Sequence, residues 1–221
     1  SIAESKDLQH QKFFIPKRIT NNPRTRKVIT DDEVELLAWV FAEGYYCKQK
    51  GKDDWSVILT QSERVNAAYC QEIRDCLKRN GTAWKEYKNK HNDTISFRFA
   101  REIGKRIKQE FPDKIPTPNL ARRMTKTQCK LFIETFVKGD GWVDASSTFA
   151  ISQKSKQCTD VLAMIAVLGG YSPSILPPGK NGAHTLRLTQ FSYVYCGELK
   201  PKVTSQKMRV WCPRSSVGTF Y

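Results

Sequence analysis

The sequence predicts an α+β protein built from two related halves, each reading helix, strand, strand, helix, strand, strand. Three observations carry this. Two apolar helical stretches, 36–44 and 133–141, contain small residues and end in an acid followed by glycine, and their acids, Glu43 and Asp140, lie 97 positions apart in a chain of 221. The patterns that follow each stretch come in the same order. Single residues also match at an offset of 92: Leu59 with Ile151, Gln61 with Gln153, Ile73 with Ile165 and Cys76 with Leu168.

Residues 1–30 carry few apolar positions and a basic cluster, Lys17-Arg18 and Arg24-Thr25-Arg26-Lys27, around Asn21-Asn22-Pro23. This reads as a basic arm, with Arg24 and Arg26 as candidates for wrapping a polyanion. Thr30-Asp31-Asp32-Glu33 supplies a cap residue with an acid three positions on, so a helix is expected over 33–42, ended by Gly44. Strands follow at 45–48 and 55–60 around a polar, glycine-containing turn. The spacing of Val65, Ala68, Tyr69, Ile73, Cys76 and Leu77 predicts a helix over 63–78, closed by Asn80-Gly81. A second hairpin, 83–88 and 94–99, alternates Ile95, Phe97 and Phe99 with Ser96 and Arg98. A helix over 101–110 stops before Pro112.

The first repeat is thus 31–112, and Pro116-Thr117-Pro118 marks a linker over 113–125. The second repeat, 126–200, gives a helix to 138, a strand from Trp142, another over 148–152, a helix over 156–168 ended by Gly169-Gly170, and a hairpin whose second strand is 185–189. Residues 201–221 form a C-terminal extension. A further helix is readable only in the first half.

Composition narrows the function. The 39% hydrophobic content suffices for a core, and 37 Lys and Arg against 22 Asp and Glu leave a net charge of +15, which points to nucleic acid. A membrane surface is disfavoured, because no apolar run nears 18 residues and no basic amphipathic helix is present. The polar stretch 1–11 has no signal core, so an intracellular site is expected. Seven cysteines, Cys47, Cys70, Cys76, Cys129, Cys158, Cys196 and Cys212, include no C-x-x-C pair and suit a reducing compartment. The three histidines, His10, His91 and His184, are isolated, so a catalytic metal must rest on carboxylates.

The residues of the paired stretches suggest how. Small side chains at Ala38, Ala42, Thr135 and Gly139 let two helices approach, bringing Glu43 and Asp140 together near the junction of two sheets. Two such acids repel unless a divalent cation neutralises them, and Mg2+ suits an oxygen-only site that takes other ligands from a phosphodiester. Alternation assigns the sheet faces. Val143, Ala145, Phe149 and Ile151 point inward, leaving Trp142, Asp144, Ser146, Thr148 and Ser152 outward. The same parity turns Tyr45, Cys47, Gln49, Ser56, Thr60, Ser96 and Arg98 outward, and the outer hairpins add Lys85, Tyr87, Ser174, Thr185 and Arg187. Such donors and acceptors can read base edges in the major groove.

These residues resemble the LAGLIDADG homing endonucleases in their single-chain, two-motif form, over roughly 31–200. The most specific parts are the acid-Gly endings and the passages Leu59-Thr60-Gln61 and Ile151-Ser152-Gln153. Departures are Trp39 and Phe41 in the first motif, Glu43 where Asp is commoner, and Lys138 where an acid often stands. The resemblance implies a saddle on double-stranded DNA and metal-dependent cutting of a long asymmetric target to short 3′ overhangs, by a monomer needing no protein partner. One acid serves each strand, the carbonyls of Ala42 and Gly139 help to coordinate, and Gln61 and Gln153 orient waters. Lys114 and Lys200 are candidate cations beside the scissile phosphates. A non-cleaving RNA-splicing maturase or repressor uses the same scaffold. The stretch from Val210-Trp211-Cys212-Pro213 to Gly218-Thr219-Phe220-Tyr221, with Lys114-Ile115-Pro116, also resembles intein-embedded endonucleases.

Overall fold

Helix α1 (Asp31–Glu43) starts where the Thr30 side chain accepts from the Glu33 N–H at 3.1 Å, with Asp31, Asp32 and Glu33 in its first turn, where acids meet the positive end of the helix dipole. The computed structural model to which this helix belongs describes residues 14–16, 29–48, 55–89, 93–145, 148–190 and 193–195. Arg24, Arg26, Gln49, Ser146, Lys200 and the intein-like stretch lie outside the described residues.

After α1 come β2 (Gly44–Lys48), β3 (Trp55–Ser62), α2 (Glu63–Arg79), β4 (Trp84–Asn89), β5 (Thr94–Phe99) and α3 (Arg101–Glu110). A short helix, α4 (Pro118–Arg123), lies within the stretch expected as a linker; Pro118 opens it and Thr117 caps it. The second half runs α5 (Lys126–Asp140), β6 (Gly141–Val143), β7 (Phe149–Gln153), α6 (Lys156–Gly169), β8 (Ser172–Leu176) and β9 (His184–Thr189). The two four-stranded antiparallel sheets share one connectivity, β2-β3-β5-β4 and β6-β7-β9-β8. A further strand within the expected arm, β1 (Phe14–Pro16), pairs antiparallel with β10 (Tyr193–Tyr195).

The two motif helices lie side by side and run in the same direction. At their starts, Gln128 in the capping box of α5 donates through Nε2 to the Ile29 carbonyl at 2.7 Å and to Asp31 Oδ1 at 2.9 Å. At their ends Gly139 meets Ala42 so closely that a Cβ on Gly139 would lie 2.6 Å from the Ala42 Cβ. Between these points one core runs through both halves: Val34, Leu37, Ala38, Phe41, Phe132, Ile133 and Phe136 pack with the inner sheet residues Leu59, Phe97, Ile151 and Leu186. The bulky departures of the first motif fill this core. Trp39 is fully buried with its ring 6.0 Å from Tyr69, and Phe41 meets Phe111 edge-on at 5.0 Å and Phe132 at 6.0 Å.

Two sequence expectations need correction. Val143 and Ala145 were assigned inward by parity, yet Val143 is 56% exposed and Ala145 is also exposed. Strand β6 is an edge strand of three residues, and alternation has no burying force where the strand ends. Helix α5 also continues through Gly139 and Asp140 rather than stopping at 138, so the second acid is its last helical residue.

Candidate active site

Both acids sit at helix ends, Glu43 partly buried and Asp140 exposed, with a glutamine from the neighbouring strand turned toward each. Gln61, near the end of β3, donates through Nε2 to Glu43 Oε1 at 3.2 Å. Gln153, the last residue of β7, donates through Nε2 to Asp140 Oδ2. The local sequence explains the match: each strand leads into a serine that caps the next helix, Ser62 for α2 and Ser155 for α6, which fixes the strand end beside the motif helix.

Burial raises the proton affinity of both carboxylates. For Glu43, desolvation is the main cause, opposed by the Gln61 hydrogen bond; the negative charge of Asp140 adds to the rise and Lys114 opposes it. For Asp140, desolvation again leads, offset by Gln153 and by Lys114. Lys114 therefore stands within electrostatic reach of both acids. Its ammonium donates to the Gly44 carbonyl at 2.6 Å, and burial pushes its pKa down while Asp140, Cys158 and Glu43 pull it back up. Its backbone occupies the left-handed region, φ 54°, an unfavourable conformation for a lysine.

The donor set fits a hard divalent cation. Asp140 lies within electrostatic reach of Glu43, and both helices end here, so the carbonyls of Ala42 and Gly139 lack the N–H partner a continuing helix would provide. No group of three or more His, Cys, Asp or Glu side chains is placed to hold a metal ion among the described residues. Such a sparse set suits a cation that keeps waters and takes oxygens from its substrate. Lys138, the cation in the second motif, points elsewhere: its ammonium pairs with Glu72 of α2 at 2.6 Å.

No family model matches this sequence, and no curated protein matches it either. Solved structures do match the fold. I-DmoI in complex with DNA and manganese has a TM-score of 0.54 at 14% identity, over 72% of this chain and 89% of that one. A structure from the mesophilic variants of the homing endonuclease I-DmoI gives 0.54 at 14%, over 72% and 88%. The homing endonuclease I-WcaI bound to its DNA recognition sequence gives 0.49 at 13%, over 78% and 85%. The likeness is one of fold: this chain shares the fold of the homing endonuclease I-DmoI. In this chain the paired helices carry Glu43 and Asp140 at their ends, where each is followed by the first strand of a sheet.

Strand register places Tyr45, Cys47, Ser56, Thr60, Ser96, Arg98, Lys85 and Tyr87 on the outer face of the first sheet. Ser56 is on that face yet only 4% exposed, and Ile58, which the sequence reading did not assign there, is its buried neighbour. A cavity of about 300 Å³ opens where Ser56, Lys85, Tyr87 and Arg98 meet. Arg98 stands over the Tyr87 ring at 5.8 Å and donates to Cys47 Sγ at 4.0 Å, while its Nε is buried without a partner among the described residues. On the second sheet, Trp142, Ser152, Ser174, Thr185 and Arg187 share the outer face, with Ala150 among them. Asp144 and Thr148 face each other across the short turn, the Thr148 N–H donating to Asp144 Oδ1 at 3.0 Å, and Arg187 pairs with Asp144. That pair forms between two of the expected base-reading residues.

Sequence reasoning missed Asn66, whose Nδ2 donates to Gln61 Oε1 at 2.9 Å, and Cys158, whose buried thiol, raised by burial to about 11, lies within electrostatic reach of Lys114 and Asp140. Neither gives a sequence signal, because both sit in ordinary helical patterns.

Proposed function

We propose that this chain is a divalent-metal-dependent endonuclease that cuts both strands of a long, asymmetric double-stranded DNA target as a monomer. The observation that carries the reading is the pair of carboxylates at the ends of two touching helices, Glu43 partly buried and Asp140 more open, each hydrogen-bonded by its own strand-end glutamine, with the partly buried Lys114 within electrostatic reach of both. Maintaining two ionised acids in a desolvated junction is costly, and a bound cation offsets that cost.

Glu43 and Asp140, with the carbonyls of Ala42 and Gly139, would hold the cation, Mg2+ being the best match to an all-oxygen, partly hydrated set. A cation there supplies charge stabilisation to the phosphodiester and lowers the pKa of bound water. The chain's own groups perform the rest. Gln61 and Gln153 each donate a hydrogen bond through Nε2 to one of the two carboxylates. Lys114 brings a positive charge to the junction, and burial lowers its proton affinity, which eases release of its proton. The outer sheet faces supply base readers, with Arg98, Thr60 and Ser96 on one sheet and Ser152, Thr185 and Ser174 on the other. The differing residues on the two faces favour a target without two-fold symmetry. The net charge of +15 supports phosphate contacts along the duplex.

The test is a cleavage selection on randomised duplex with magnesium, run in parallel with Asp140→Asn. Recovery of one cut sequence by the wild type and none by the variant supports the reading. If the wild type selects no cut sequence, or the variant cuts equally well, the proposal fails; tight RNA or DNA binding without cutting would favour a maturase or repressor.

A further inference from the structure

The two halves hold their glutamines differently. Gln61 is fixed at both ends of its amide: Oε1 accepts from the Ser62 N–H at 2.8 Å and from Asn66 Nδ2 at 2.9 Å, and Nε2 donates to Glu43. A backbone N–H can only donate, so the amide orientation is determined, and Asn66 must present its NH2 group. Asn66 does so from a break in helix α2, with φ −127° and ψ 45° inside the helix.

Gln153 has no matching tether. At the offset of 92 the counterpart of Asn66 is Cys158, a buried thiol, and one position on is Thr159, whose hydroxyl donates to the Ser155 carbonyl at 3.0 Å. Among the described residues, the Gln153 side chain is held by Asp140 alone. An amide with a single bond can turn over and present its oxygen to the carboxylate, and a clamped one cannot.

We propose that Asn66 is a positioning residue that pre-organises the Glu43 side of the centre only, so that the two DNA strands are cut at unequal rates, the Glu43 strand first. This rests on the endonuclease reading. Asn66→Asp keeps the size of the side chain and replaces the donor with a carboxylate that repels Gln61 Oε1. In single-turnover cleavage of a duplex with a different label on each strand, the wild type should cut one strand faster. The variant should slow that strand by at least about fivefold, the population effect of one lost hydrogen bond, and leave the other within about twofold. A general loss of packing would instead slow both strands together, and that result, or an unchanged ratio, overturns the proposal. A wild type that cuts nothing defeats the endonuclease reading, and the clamp is then judged without DNA. In the 15N-labelled protein, the Gln61 side-chain amide should exchange hydrogen more slowly than that of Gln153, and Asn66→Asp should abolish the difference. Equal exchange in the wild type overturns the clamp.

Discussion

Gly139→Ala probes the helix contact on which the centre depends. The added Cβ would lie 2.6 Å from the Ala42 Cβ and 2.9 Å from the Glu43 Cγ. Carbon atoms pack at about 3.5–4.0 Å, so the helix ends must separate by roughly 1 Å. The Ala42 Cβ is fixed to the backbone and cannot turn aside. Overpacking of this kind costs about 1–3 kcal/mol, which with a urea dependence of about 2 kcal/mol/M lowers the unfolding midpoint by roughly 0.5–1.5 M. The effect on cleavage should be larger, on the order of 10²-fold, because a displacement near 1 Å moves Glu43 relative to Asp140. Ala42→Gly in the same chain removes the 2.6 Å contact and leaves only the flexible Glu43 side chain to adjust. Most of the stability should return, with part of the activity. Urea unfolding and single-turnover cleavage read the two effects. If Gly139→Ala is as stable and as active as the wild type, the helices do not meet as described.

Further outcomes follow from the same groups. Because burial raises the pKa of Glu43 and Asp140, their ionisation opposes folding: the stability they allow is fully present below the ordinary carboxylate range and is lost as pH rises through their raised values. Glu43→Gln with Asp140→Asn should therefore raise the melting temperature at pH 7 and leave it unchanged near pH 3. Magnesium should raise the melting temperature of the wild type at pH 7 and not that of this double variant. Lys114→Met should preserve calcium-supported DNA binding, read by fluorescence anisotropy, while cleavage falls by at least about tenfold, within the range for loss of a general acid–base group. Arg98→Met should relax base preference at one or two adjacent target positions, by about 1–3 kcal/mol of discrimination, and a target profile identical to the wild type would remove Arg98 from base reading.

The sequence was most informative where local rules govern. Thr30 marks the start of α1, and the alternation of Ile95, Phe97 and Phe99 matches the buried face of β5. The repeat offset located both glutamines, although Gln61 adjoins its capping Ser62 and Gln153 stands two positions before Ser155. What escaped depends on tertiary contact. Val143 lies on a strand too short to be covered, α4 occupies a stretch that proline punctuation marks as a linker, and the left-handed Lys114 follows no local signal. Asn66 is the clearest case: a polar residue inside a helical pattern reads as solvent-facing, and only the folded chain shows it bonded to Gln61.

The central claim is that Glu43 and Asp140 form one shared cation site. The most direct measurement is a manganese anomalous difference map from a crystal of the protein soaked with Mn2+, alone or on its selected DNA. A peak between the two carboxylates, absent in the Glu43→Gln, Asp140→Asn double variant, is the expected result. Manganese found only elsewhere, or a peak that survives loss of both acids, would contradict it.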